Sequence, residues 1–334
     1  MEPAGLLSEA VTEPQFELLF VCPSPLHESQ CGVVLDERYQ RQLHAPTEHR
    51  IEELWQAKLA SNARIFNGTK FRLAGWEFRQ RPSCGEVGVD AQLLLQLGLT
   101  DYREYIGTNL RPTQELIDLK EAGQAQHSGD PNACLSNALG VETMLITADG
   151  AMVLLQRSGA VATHTGLYNG PSGHPEPSHV PGGVDLTEPL RAPGRASSLD
   201  SLVLHELFES VRQETHEETN VPLDALDQPL LIGAMAESIT SKPDLLFLSH
   251  TSLTAKEVVE YFKQGGVDAW ESERVMLLDA TSHDAVRCVL EGRESRCKTF
   301  VGDASRPVSL TPVTAACLTC YLQVHEDRDK DGDL

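Results

Sequence analysis

The second half of the chain predicts an α/β fold, an α/β/α sandwich around a mixed sheet, because strands and helices alternate through it. Three observations carry this. Val141-Glu142-Thr143-Met144-Leu145-Ile146-Thr147 and Ala151-Met152-Val153-Leu154-Leu155-Gln156-Arg157, joined around Asp149-Gly150, form the clearest hairpin signal. Leu204, Leu207, Phe208 and Val211 recur at three- and four-residue spacing, so the helix they belong to has a buried side. Pro229–Met235, Leu245–Ser249 and Val275–Leu278 then read as strands, interleaved with helices over Thr254–Phe262, His283–Leu290 and Thr311–Val324.

The first 125 residues predict a less regular α+β region. Residues 1–14 look loose, Phe16–Val21 is a strand ended by Pro23 and Pro25, and Thr47–Ser61 is a helix with Ile51, Leu54, Trp55 and Leu59 inward. Asn67-Gly68 predicts a tight hairpin turn within Arg64–Leu73. Leu93–Asn109 reads as a core helix and a loop, and residues 121–137 as a connector to a second domain over 138–324. Residues 178–198 carry Pro, Gly, Ser and Arg without period and read as a mobile insert. Residues 325–334 form a solvated acidic tail, which matches only the first half of a calcium loop and stops before the required glutamate.

Composition narrows the function. A chain of 334 residues with formal net charge −22 repels phosphate backbones over most of its surface, which argues against nucleic acid. No apolar run approaches the ~18 residues of a membrane span, and the first residues lack a basic region before an apolar core, so the expected setting is intracellular, cytoplasmic by default. Eight cysteines show no disulfide framework, and Cys317-x-x-Cys320 sits in an apolar helix that favours buried thiols. Nothing in the sequence fixes an oligomeric state.

The chemistry is concentrated in Gln213-Glu214-Thr215-His216-Glu217-Glu218-Thr219-Asn220-Val221. On a helix Glu214 and Glu218 share a face one turn apart, with Glu217 beside them. Like charges that close destabilise a bare helix, and negative charge on its last turns opposes the macrodipole. A hard divalent cation reverses both effects, since carboxylate oxygens are the ligands Mg²⁺ prefers. The bland reading is a solvated acidic face, common in acidic chains. Asp200 or Ser201 is placed to cap the helix and Pro222 to end it.

This stretch resembles the box of the Nudix hydrolases, G-x5-E-x7-R-E-U-x-E-E-x-G-U with U aliphatic. Glu214, Glu217 and Glu218 match its helix glutamates and Val221 its last apolar residue. Gln213 stands where the box has arginine, Thr215 where it has an aliphatic residue, and Asn220 where it has glycine. Arg212 does not replace the lost arginine, because one position turns it about 100° around the helix. The opening loop falls at Pro171-Ser172-Gly173-His174-Pro175-Glu176-Pro177, which places His179 at the loop glutamate; Pro181-Gly182-Gly183 is a second candidate for the glycine. The Gly-His-Pro-Glu-Pro string and His205-Glu206-Leu207-Phe208 are similar to the UDP-sugar diphosphatase subfamily.

The resemblance implies Mg²⁺-dependent hydrolysis (Mn²⁺ serving as well) of UDP-glucose or UDP-galactose to UMP and sugar 1-phosphate. Glu214 and Glu218 would hold the metal, and Glu217 would be a further ligand or orient the attacking water. Phe66 and Tyr102 would contact base or ribose, Arg157 the diphosphate, and Asn169 and Glu176 sugar or metal; a core residue or a surface ion pair is the competing role. The lost arginine and loop glutamate imply modest activity. Two alternatives stay open: another diphosphate compound such as ADP-ribose, coenzyme A or a dinucleotide, and a degenerate domain that binds nucleotide sugars without cleaving them. A zinc protease is excluded, since His205-Glu206 lacks a second histidine at the required spacing.

Overall fold

A computed structural model of the chain describes residues 15–61, 65–79, 92–159, 164–184, 190, 196–267, 269–292 and 308–331. Residues 1–14, Arg64, Cys84, Cys297, much of the 178–198 insert and the last three residues of the tail lie outside these. The described elements are β1 (Phe16–Leu26), β2 (Cys31–Leu35), α1 (His49–Ser61), β3 (Thr69–Phe78), β4 (Leu93–Asp101), α2 (Tyr102–Gly107), α3 (Thr113–Gln126), β5 (Gly140–Ile146), β6 (Ala151–Arg157), β7 (Tyr168–Asn169), β8 (Ser172–Gly173), α4 (Ala196–Thr219), β9 (Leu230–Glu237), β10 (Pro243–His250), α5 (Ala255–Gln264), β11 (Ser272–Asp279), α6 (His283–Leu290) and α7 (Pro312–Asp331).

Among the described residues an eight-stranded mixed sheet runs β1-β9-β10-β5-β6-β11, with β7 on β6 and β8 on β5. The pair β5–β10 is parallel and the other pairings are antiparallel. One face buries Met144, Leu154, Leu246 and Leu278 against Cys317, Leu318 and Tyr321 of α7 and Val286 of α6. The other buries Val141 and Phe247 against Val203, Leu207, Phe208 and Val211 of α4, where Phe208 and Phe247 meet edge to face with centroids 5.2 Å apart. The fold is therefore the α/β/α sandwich expected from the alternation. A second sheet, β2-β4-β3, packs on the far side of α4, so this helix is buried between two sheets.

Several elements depart from the sequence reading. β1 runs on through Pro23 and Pro25, which is possible because it is a terminal strand whose register breaks between Val21 and Leu26, where missing N–H donors leave no central ladder incomplete. Leu93–Asp101 is a strand between β2 and β3; a short continuous apolar run has no periodicity that separates strand from helix. Asn67-Gly68 makes no hairpin, because the Asn67 side chain is spent on α2, accepting from Arg103 N at 2.8 Å and donating to Asp101 Oδ2 at 2.9 Å. The 121–137 connector begins as the end of α3, which runs through Gln126, and the supposed tail is helical to Asp331. Helix α4 begins at Ala196, so Asp200 caps nothing and instead accepts a hydrogen bond from Leu35 N at 2.9 Å. Within the insert Val180, Val184 and Leu190 are buried in the core beneath α4.

The β5–β6 turn is as expected, with Gly150 in the left-handed region at φ 82°. Asp149 ties that turn to α5, accepting from Thr147 Oγ1 at 2.7 Å and Ala255 N at 2.8 Å. The Thr147 hydroxyl first, and the Ala255 N–H second, hold its carboxyl below its ordinary value. A folded-state value below the unfolded one means a contribution present at neutral pH and lost as pH falls. Asp149→Asn is expected to lower unfolding free energy at pH 7, with the gap closing below the unfolded aspartate value of about 3.9, as read by urea unfolding at a series of pH values.

Candidate active site

The site is assembled where the loop after β7 lies along α4. Glu206, Glu214 and Glu218 point from the helix toward the loop. The loop runs alongside in the opposite sense and donates alternate backbone N–H groups: Ser172 N to Glu218 Oε1 at 3.0 Å, His174 N to Glu214 Oε1 at 3.2 Å, and Glu176 N to Glu206 Oε1 at 3.0 Å. An extended chain turns every second N–H to the same side, which is why the contacts fall on 172, 174 and 176. Gly173 is required in this strand: a Cβ there would overlap the Glu214 carboxylate. Gly182, the other candidate, meets nothing within 4 Å.

Glu218 is 3% exposed. Burial pushes its carboxyl well above the ordinary range, and the charges of Glu214 and Glu271 push the same way, against the Ser172 N–H and Arg157. Burial and the neighbouring acid charges outweigh Arg157 at Glu218, a local deficit of positive charge at that carboxylate. A divalent ion fits that deficit: Mg²⁺ commonly takes one or two carboxylates and keeps water or phosphate oxygens as its other ligands. Among the described residues no group of three or more His, Cys, Asp or Glu is disposed to hold a metal ion. Glu217 is half-buried at the helix end, and its backbone carbonyl lies where a Cβ on Gly266 would fall.

Each departure from the box motif has a local solution. Thr215 is 1% exposed and turns its hydroxyl back onto Val211 O at 2.7 Å, so a polar side chain fits an apolar slot. Asn220 adopts φ 60° and donates to Tyr261 O at 3.1 Å, ending the helix in the left-handed conformation glycine would otherwise take. Gln213 donates to Glu209 Oε1 at 3.2 Å, while Arg212 reaches Glu209 Oε2 at 2.8 Å and Leu223 O at 2.7 Å.

Three of the residues expected to meet substrate, Arg157, Asn169 and Glu176, border this site. Arg157 ends β6, and its charge acts on both Glu218 and Glu142. Asn169 is 2% exposed, donates to Ser172 Oγ at 3.0 Å and has a buried Oδ1 with no hydrogen-bond partner. Glu176 accepts from Lys70 Nζ at 2.6 Å, and this ion pair outweighs burial and lowers its carboxyl below the usual value. Tyr102 is half-buried, edge-on to Trp55 at 6.3 Å, and its N–H bonds Gly68 O at 3.0 Å. Phe66 stands apart from the carboxylates, 73% exposed, with its ring against Gly68. His179, at the loop-glutamate position, faces Glu206 Oε1 at 3.5 Å.

The sequence reading missed Glu206, Lys70 and Glu142. Glu206 falls a multiple of four residues from Glu214 on the same helix, a spacing that could have found it. Glu142 is a charge inside an apolar strand, 1% exposed, bonded to Thr314 Oγ1 at 2.6 Å and Gly170 N at 3.2 Å, with Oε2 unpartnered and burial pushing its carboxyl up to about 8. Lys70 had no sequence signal.

A loop laid over glutamates on the last turns of a buried helix, in an α/β/α sandwich, is the arrangement of a Nudix domain, and the chain belongs to the Nudix hydrolase family. It is 37% identical over 274 residues to the uridine diphosphate glucose pyrophosphatase NUDT22 of Bos taurus, covering 81% of this chain and 89% of that one. The Homo sapiens protein of the same name is 36% identical over 270 residues, 80% and 84% of the two chains, and Nudix hydrolase 9 of Arabidopsis thaliana is 29% identical over 266 residues, 78% and 82%. No protein-family profile matches the chain. Among solved structures a Nudix hydrolase from M. smegmatis, RenU, aligns at 13% identity over 56% of this chain and 84% of its own, with a TM-score of 0.28, so membership rests on the sequences. No helix among the described residues is long and apolar enough to cross a membrane.

Gly173→Ala is expected to drive Glu214 off the loop, so that the His174 amide loses hydrogen-exchange protection while the Ser172 amide, held by Glu218, keeps it. Gly159→Ala, whose added carbon meets nothing within 4 Å, should leave their exchange unchanged.

Proposed function

We propose that the chain hydrolyses the diphosphate of UDP-sugars, UDP-glucose or UDP-galactose, to UMP and sugar 1-phosphate, with Mg²⁺ or Mn²⁺ held by Glu214 and Glu218. The observation that carries this reading is the pair of adjacent carboxylates, one of them buried, pinned against the loop at 172–174. The substrate class is supported by relatives named uridine diphosphate glucose pyrophosphatase over four fifths of the chain. When bound, the ion would neutralise charge developing on the diphosphate oxygens. Glu214 and Glu218 bind and orient it, and the loop N–H groups hold both carboxylates in place. Glu217 orients the attacking water or adds a further ligand. Arg157 offsets phosphate charge beside Glu218, and Asn169 Oδ1 offers a buried acceptor to a substrate hydroxyl. Phe66 presents an open aromatic face, and Tyr102 a half-covered one, for stacking on the base or ribose. The 1–125 region thus walls the pocket of the 138–324 domain, and Glu176 braces the wall through Lys70. Six free cysteines among the described residues fit an intracellular setting.

Purified protein with millimolar Mg²⁺ and UDP-glucose is expected to release UMP, and Glu218→Gln to lower kcat by about a hundredfold or more while the thermal midpoint holds or rises, since a buried charge is removed. Full activity in Glu218→Gln sinks the metal assignment. Faster turnover of ADP-ribose, coenzyme A or a dinucleotide in the same panel moves the substrate within the family. The loss of the box arginine to Gln213 favours one other reading, a nucleotide-sugar binder without turnover. Calorimetry showing UDP-glucose binding that ignores Mg²⁺, with no product, would select it.

A further inference from the structure

Two ammonium groups converge on the loop beside His174, in a chain whose formal charge is −22. The register that pairs Val141 with Gly173 sets His174 opposite Gly140. The space a side chain at Gly140 would fill is taken by Lys242 Nζ and the Asp244 carboxylate it pairs with. Glu176, two residues beyond His174, takes Lys70 Nζ at 2.6 Å. Burial first, and the two lysine charges after it, hold the His174 imidazole well below its ordinary value; the ring makes no hydrogen bond among the described residues, while the backbone N–H is fixed to Glu214. The lysine side chains retain 13% and 18% exposure, so neither is sealed in the core. An ammonium carries three donors, and the carboxylate contact of each lysine uses one. What remains is spare donor capacity on three separate segments, around the loop whose His174 N–H binds Glu214.

We propose that Lys70, Lys242 and the His174 imidazole form the seat for the substrate phosphate that lies away from the Glu214–Glu218 carboxylates. The proposal rests on the diphosphate-hydrolase reading and supplies what that reading lacks, cations of the chain itself for the second phosphate. Lysine binds phosphate as a point charge, and an imidazole with an open N–H adds direction. The seat draws on β3 of the amino-terminal region and on the β9–β10 turn, so substrate bridges the two.

Calorimetric titration of the full chain with uridine diphosphate in Mg²⁺ reads the seat directly, and UDP-glucose turnover reads it kinetically. Lys242→Met and Lys70→Met are each expected to weaken UDP binding and raise KM about tenfold, with kcat within about threefold, and to flatten the salt dependence of binding. Arginine at either position should recover most of the loss. Lys120→Met, which cuts a contact to Ser241 on the same β9–β10 turn, should leave both readings unchanged. UDP affinity equal to that of the unaltered chain in both folded methionine variants overturns the seat, and continued UDP-glucose cleavage there leaves the hydrolase reading intact. UDP binding that the lysine variants weaken, with no turnover by the unaltered chain, overturns hydrolysis and keeps the seat.

Discussion

The structure depends on a zip of three backbone N–H groups into three carboxylates on α4. Hydrogen bonds to charged acceptors contribute roughly 1.5–3 kcal/mol each, more than neutral ones, and these three bond a loop that has only two short strands of its own. They also fix the spacing of the acids. Ser172, His174 and Glu176 advance by two residues on the loop while Glu218, Glu214 and Glu206 recede along the helix, so loop and helix set each other's register.

The zip leaves the helix with an electrostatic deficit. N–H dipoles soften the repulsion among the acids but do not cancel it, and Glu218 stays in a state that favours its neutral form. Burial of α4 between two sheets intensifies this, because a low-dielectric surround strengthens every charge interaction. The same surround makes a divalent ion, once bound, more effective. A site of this kind is unstable in proportion to its readiness for a cation, a local conflict of the sort functional sites tolerate.

Much of the domain was legible in the sequence because its elements are long and periodic. The hairpin around Gly150, the amphipathic α4 and the left-handed Asn220 each follow from local rules. The amino-terminal region was not, since Leu93–Asp101 is apolar at every position but Gln96, Thr100 and Asp101 and has no period to read. Asn67-Gly68 carried a correct turn signal that tertiary bonds to Asp101 and Arg103 overrode. Glu214 and Glu218, which the structure brings together against the loop, were readable from spacing and resemblance. Lys70, Lys242 and Glu142 were not, because their roles come from sheet register and chain crossings that link distant segments.

β1 adds a consequence for biosynthesis. Phe16 pairs with Glu237, so the first described strand cannot complete its ladder until β9 has left the ribosome. Until then its apolar residues Phe20, Cys22 and Leu26 wait without their eventual cover. Proline at 23 and 25 in that strand is well suited to the wait: it denies a waiting edge the donors through which nascent chains mispair.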